Sequence, residues 1–242
     1  MMNTEFEYMN EISKILEEVY EKNKDNIKIV AEKMAETIMK DNLVHIFGTG
    51  HSSLLSTEMY SRAGGLANVD PILDPNAMMD FGGERSCVME RTSGISPALY
   101  DLYEIKPEDM VIVISNSGRN AMPIEMAQKA KEKGNYVVVL TSYEVSKKAV
   151  SRHSSGKKLY EFADIVLDNC AKYGDACLNI GGYDTGAIST ITGAFILHTI
   201  ETEATKIMVD KGFKPYIFQS QNIEGYDNST IITKYKTRIK HL

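Results

Sequence analysis

Apolar residues recur at helical spacing from the start of the chain, at Tyr8, Ile12, Ile15, Leu16 and Val19, then at Ile27, Val30, Met34 and Ile38. This predicts helix over residues 5–40, with a break near 23–26. The pattern then shortens into strand-like runs, Leu43 to Phe47, Ala67 to Ile72, Val111 to Ile114, Tyr136 to Leu140 and Ala163 to Leu167, of which the central ones are apolar without alternation. Helical patterns over 52–63, 123–133 and 187–211 separate or follow them. Residues 73–107 are irregular, with one helix predicted over 97–104. Strands that are apolar throughout are those covered by helices on both faces of a parallel sheet. The prediction is therefore a three-layer αβα sandwich. It has an N-terminal helical lead-in (1–40), a core (41–214) carrying a long insertion (73–107), and a polar tail (215–242).

In such sheets ligands bind beyond the carboxyl ends of the strands. The chain concentrates small polar residues there: Gly48-Thr49-Gly50-His51-Ser52-Ser53, Ser115-Asn116-Ser117-Gly118 and Thr141-Ser142. Hydroxyls at helix starts donate to anionic oxygens, the helix end adds positive potential, and glycine lets the backbone approach a ligand. The three loops together suit a phosphate or sugar phosphate, although each alone also reads as an ordinary cap or turn. A dinucleotide site competes. Gly48-Thr49-Gly50 begins a G-x-G-x-x-G fingerprint and Asp70 lies where a ribose-binding acid belongs, but Ser53 occupies the third glycine position.

Composition narrows the partners. Lys plus Arg number 27 and Asp plus Glu 33, a net charge of -6, which argues against nucleic acid, whose binding rests on cations paired with phosphates. A single small anion held by local amides and hydroxyls is compatible with that charge. Apolar residues at 43% and charged residues at 25% exclude a disordered or collagen-like chain. No run approaches the roughly 18 apolar residues of a membrane span. Cys87, Cys170 and Cys177 have no metal-ligand spacing, and the acidic first residues are unlike a secretory leader. The expectation is a cytoplasmic protein without metal or cofactor.

Residues 107–120, an acidic lead-in ending in Asp109, an apolar strand and Ile114-Ser115-Asn116-Ser117-Gly118, resemble the signature of the SIS (sugar isomerase) family. The turn Gly48 to Ser52 and the pair Thr141-Ser142 are similar to that family's other loops, and the resemblance extends over roughly residues 30–212. It implies a five-stranded parallel sheet of flavodoxin-like order, a homodimer or homotetramer, and a sugar phosphate bound near the subunit interface. It also implies Ser52, Ser115, Ser117 and Thr141 as phosphate ligands, with Ser53, Asn116 and Ser142 as second choices. Gly50 lies against the ligand, and Gly118, Arg119 and Asn120 offer backbone amides. Thr185 to Gly193 is similar to a segment of the family's etherases, which brings in Ser189.

Isomerising an aldose to a ketose requires a base that moves a proton between neighbouring carbons, a task for Glu or His. His198 falls on the stripe Ile188, Ile191, Phe195, where packing would also account for it. Its context, Phe195 to Glu201, is similar to the helix of phosphoheptose isomerase that carries a catalytic His. Glu90 lies in the long insertion, where the etherase has an acid; a solvated charge beside Arg91 is the plainer reading, and Glu84 has a weaker claim. Glu58 shares the helix on which phosphoheptose isomerase places its Glu, but the equivalent position is Arg62. His51 lies within the first loop, where packing explains it least. In the tail, Asn222 and Glu224 are expected to reach the sugar if this segment folds over a site. The expected function is a phosphosugar isomerase. The alternatives are a non-catalytic sugar-phosphate sensor and an etherase or hydrolase of an amino-sugar phosphate.

Overall fold

The computed structural model describes residues 4–225 and 227–242. Helix α1 spans Glu7–Met39 and leads into β1, Val44–Gly48. Then come α2 (Ser53–Glu58), β2 (Val69–Ile72), α3 (Gly83–Met89), α4 (Ile95–Leu102) and β3 (Met110–Ile114). Next are α5 (Ala121–Lys133), β4 (Tyr136–Thr141), α6 (Tyr143–Lys148) and β5 (Ile165–Asp168). A hairpin of β6 (Ala176–Ile180) and β7 (Tyr183–Ala187) precedes α7 (Ser189–Asp210) and α8 (Ser229–Tyr235).

The sheet is parallel throughout, in the order β2-β1-β3-β4-β5. Its residues alternate between two packed faces. Val44, Ile46, Met110, Ile112, Ile114, Val138 and Leu140 meet α1, α2 and α7 on one side. Phe47, Ile72, Val111, Val113, Val137 and Val139 meet α4 and α5 on the other. Both faces exclude water, so the strands read as continuous apolar runs, as expected for this three-layer αβα arrangement. Pro71, which cannot donate to a ladder, lies in the edge strand β2. Among the described residues no helix is long and apolar enough to cross a membrane.

The expected break in the lead-in does not occur: α1 is one helix of 33 residues. Its asparagines serve the sheet instead. Asn23 donates to the Asp168 carbonyl at 2.8 Å and accepts the Asp168 N–H at 2.8 Å, while Asn26 donates to the Val166 carbonyl at 3.0 Å. These side chains satisfy the outer edge of β5, which has no further strand. The long insertion forms two helices, α3 and α4, rather than the one expected over 97–104.

The tail also departs from expectation. Leu66 and Ile217 form an antiparallel bridge, and Phe218, Ile231, Tyr235 and Ile239 bury against Leu43 and Ala67. The Tyr235 hydroxyl donates to Asn68 at 3.0 Å, and Lys234 and Arg238 pair with Asp41 at 2.9 and 3.0 Å. Leu43, Asp41 and Asn68 precede β1 and β2, so α8 closes the amino ends of these strands, opposite the ligand edge.

Candidate active site

The strand order reverses between β1 and β3: the chain runs from β1 out to β2, then returns to the far side of β1. The loops after these two strands therefore diverge, and a crevice opens between them. A cleft of about 590 Å³ lies there, walled by Thr49 to Ser52, Ser115 to Ser117 and Asn120. The insertion contributes Met79, Glu84, Ser86, Cys87 and Glu90, and the start of α7 contributes Ser189 with Asp175 beside it.

The first loop is held from several sides. A Cβ on Gly48 would lie 2.5 Å from the Ser52 carbonyl oxygen, so the chain can fold back this tightly only at glycine. Gly50 takes φ +57° and its N–H donates to the Ala77 carbonyl at 2.7 Å. Ser53 is buried and its hydroxyl donates to the Gly50 carbonyl at 2.7 Å, so it shapes the loop rather than facing ligand. Ser52 lines the cleft, and among the described residues its hydroxyl has no hydrogen-bond partner; the same holds for Ser117.

The β3 loop is braced from behind. The Ser115 hydroxyl accepts the Gly118 N–H at 3.2 Å, leaving its own proton for a ligand. Asn116 accepts from Asn169 at 2.6 Å through its side chain. Its carbonyl accepts the Ser142 N–H at 3.2 Å and the Thr141 hydroxyl at 3.1 Å. Thr141 and Ser142 are therefore supports: both are buried, neither lines the cleft, and the Ser142 hydroxyl is spent on the Ala171 carbonyl. Their strand is one place removed from the reversal, which puts them behind the site. Asn120 stands at the amino end of α5 on the cleft wall, so the positive end of a 13-residue helix faces the cavity.

Ser189 is also committed. Its hydroxyl donates to Asp175 at 2.7 Å and its N–H donates to the same carboxylate at 2.9 Å. Asp175 thus caps α7 and places a carboxylate in the cleft, a residue that no motif flagged.

Of the acid–base candidates, three line the cleft: Glu90, His51 and Glu84. Glu90 ends α3 and accepts the Thr49 hydroxyl at 3.2 Å. Burial raises its carboxyl above the ordinary range, against the lowering effect of hydrogen bonds from Thr49 and Asn120. His51 is exposed on the cleft wall. The other two form a separate cluster on α2 and α7: His198 Nε2 lies 3.0 Å from Glu58 Oε1, and Nδ1 lies 3.3 Å from Glu201 Oε2. Glu58 also pairs with Arg62, and Glu201 accepts the Leu66 N–H at 2.7 Å. Ile191 and Phe195, expected to pack inward with His198, are 42% and 36% exposed; Ile196, Leu197 and Ile200 form the buried face instead. Asn222 and Glu224 are exposed and do not line the cleft. The expectation that the tail covers the cleft of its own chain is corrected by its docking against residues 64–67, at the amino ends of β1 and β2.

The dinucleotide alternative fails on Asp70, which is fully buried within β2, 3.2 Å from His45 Nδ1. His45 Nε2 meets Asp109 at 3.3 Å, and Asp109 accepts the Leu43 and Lys106 N–H groups at 2.8 and 2.9 Å. Burial opposes charge on His45, but its two carboxylate neighbours outweigh that and raise its pKa. Asp70 thus pairs with His45 inside the sheet, out of reach of a ribose at the cleft.

The sequence model of the SIS domain matches residues 7–142, more than half of the chain. The chain belongs to the SIS domain family. The match takes in α1 and ends just after β4, so the lead-in helix is part of the SIS unit. A UPF0309 protein of Thermoanaerobacter pseudethanolicus is 43% identical over 245 aligned residues, covering 98% of this chain and 99% of that protein. A UPF0309 protein of Listeria monocytogenes is 41% identical, covering 96% of each. Among solved structures, phosphoheptose isomerase of Neisseria gonorrhoeae superposes with a TM-score of 0.53 at 16% identity. The match covers 82% of this chain and 95% of that one. That similarity shows the shared SIS fold.

Proposed function

We propose that this SIS protein binds a phosphorylated sugar in the β1–β3 cleft and isomerises it between aldose and ketose. The observation that carries this reading is the meeting of free hydroxyls at Ser52 and Ser117 with a half-buried carboxylate, Glu90, in one cleft. The phosphate is held by Ser52, Ser115, Ser117 and the amides leading into α5, all neutral donors, so the net charge of -6 is no obstacle. Glu90 as carboxylate takes the proton from C2 to give an enediol and returns it at C1. His51 moves the accompanying proton between O1 and O2. Asp175 accepts hydrogen bonds from sugar hydroxyls. The outward-facing Ile191 and Phe195 support a homodimer or homotetramer.

A second reading, a sensor without turnover, is favoured by the separation of His198 and Glu58 from the cleft. Thermal denaturation tests the binding step common to both. A hexose, heptose or amino-sugar phosphate at about 100 times its Kd should stabilise the protein by about 2.7 kcal/mol. That is roughly 5–10 °C for a domain of this size. The unphosphorylated sugars should give no shift. No response to any of the phosphates would contradict a phosphate site.

A further inference from the structure

Two of the six arginines of the chain, Arg91 and Arg152, lie near Glu90, and Arg119 lies near Arg152. The Arg152 N–H donates to the Arg119 carbonyl at 2.8 Å, and its guanidinium donates to the side-chain oxygen of Asn120 at 3.2 Å. Asn120 walls the cleft and hydrogen-bonds Glu90. Arg91 follows Glu90 directly. The Arg152 guanidinium is therefore one side chain away from the reacting end of the proposed site.

These cations lack partners. Arg62 and Arg238 are paired with Glu58 and Asp41, and Arg85 hydrogen-bonds Asn76. Among the described residues no carboxylate lies within salt-bridge distance of Arg91, Arg119 or Arg152. Arg119 Nε is buried with no hydrogen-bond partner at all, an arrangement that folded proteins rarely leave standing. Burial and the charges of Arg119 and Arg91 together depress the pKa of Arg152, with Glu90 opposing. Three like charges with only Glu90 near them, and no ion pair among the described residues, raise the local potential and attract an anion.

We propose that Arg152, with Arg91 and Arg119, forms a subsite for a second anionic group, so that the preferred ligand is a sugar phosphate that also bears a carboxylate or a second phosphate. This rests on the phosphosugar reading and adds to it the substrate class. The Ser loops hold the first phosphate by neutral donors, and the guanidinium groups behind Asn120 and Glu90 select the second anion.

Calorimetric titration with glucose 6-phosphate, 6-phosphogluconate and glucose 1,6-bisphosphate tests it. At least one of the two doubly anionic ligands should bind about tenfold tighter than glucose 6-phosphate, the gain expected of a charge-assisted pair. Preference for 6-phosphogluconate identifies a carboxylate, and preference for the bisphosphate a second phosphate. Arg152→Ala and Arg91→Ala should abolish the preference while leaving affinity for glucose 6-phosphate unchanged, and Arg152→Lys should restore part of it. Binding of glucose 6-phosphate without any preference would overturn the subsite alone, as would a preference that survives both alanine variants. Failure of all three ligands to bind would overturn the phosphosugar reading and the subsite with it.

Discussion

Glu90→Gln is expected to lower solvent-deuterium incorporation at C1 or C2 of the bound sugar phosphate by about 10²- to 10⁴-fold, the range of a positioned general base. The amide keeps the size of the side chain and can still accept from Thr49, so binding should persist. The pH profile adds a second readout. Burial raises the Glu90 carboxyl, so the base form accumulates only above the ordinary carboxylate range. The wild-type rate should climb with pH along that limb. The sign for stability is the reverse. A carboxyl whose folded pKa is raised contributes stability below its unfolded value and loses it as pH rises through its folded value. Glu90→Gln should therefore be no less stable than the wild type at neutral pH. Exchange at the wild-type rate in this variant would remove Glu90 from the chemistry.

Gly48→Ala should cost about a hundredfold in sugar-phosphate affinity, the equivalent of losing one or two charge-assisted hydrogen bonds. The added Cβ would lie 2.5 Å from the Ser52 carbonyl oxygen and 2.6 Å from its carbon. Both are backbone atoms, so no rotamer change relieves the overlap and the loop itself must move. Ser52 would then leave its place opposite the β3 loop. The sheet should survive, because Val44, Ile46 and Phe47 keep their packing; overpacking of this kind costs about 1–3 kcal/mol. Titration of the folded variant with the sugar phosphate measures the loss, and an unchanged Kd would show that the turn does not set the site.

Much of this architecture was legible in the chain because buried parallel strands carry a strong signature. Five strand-like runs, three of them followed by small polar loops, were enough to predict the layers and the ligand edge. Periodicity read less well where polar side chains act over long distances. Asn23 and Asn26 resemble a helix break, yet they seal the edge of β5. The tail reads as polar, yet four spaced residues, Phe218, Ile231, Tyr235 and Ile239, suffice to anchor it.

The site shows the same division. Gly48 to Ser52 and Ser115 to Ser117 were identifiable because such loops recur at the carboxyl ends of neighbouring strands, although each alone also reads as a cap or turn. Thr141 and Ser142 share that composition but stand behind the loop, a distinction set by strand order. Ser53 and Ser189 were already committed to Gly50 and Asp175, which only the folded chain reveals. Asp175, Arg91 and Arg152 carried no motif, because they come together through three separate loops.

Backbone amide exchange with and without the sugar phosphate tests the central claim most directly. Protection is expected to concentrate in residues 48–53, 83–90 and 115–121, with none in 229–242. No protection from the unphosphorylated sugar is expected. Protection centred on the α2–α7 cluster around His198, with the β1 and β3 loops unaffected, would contradict it.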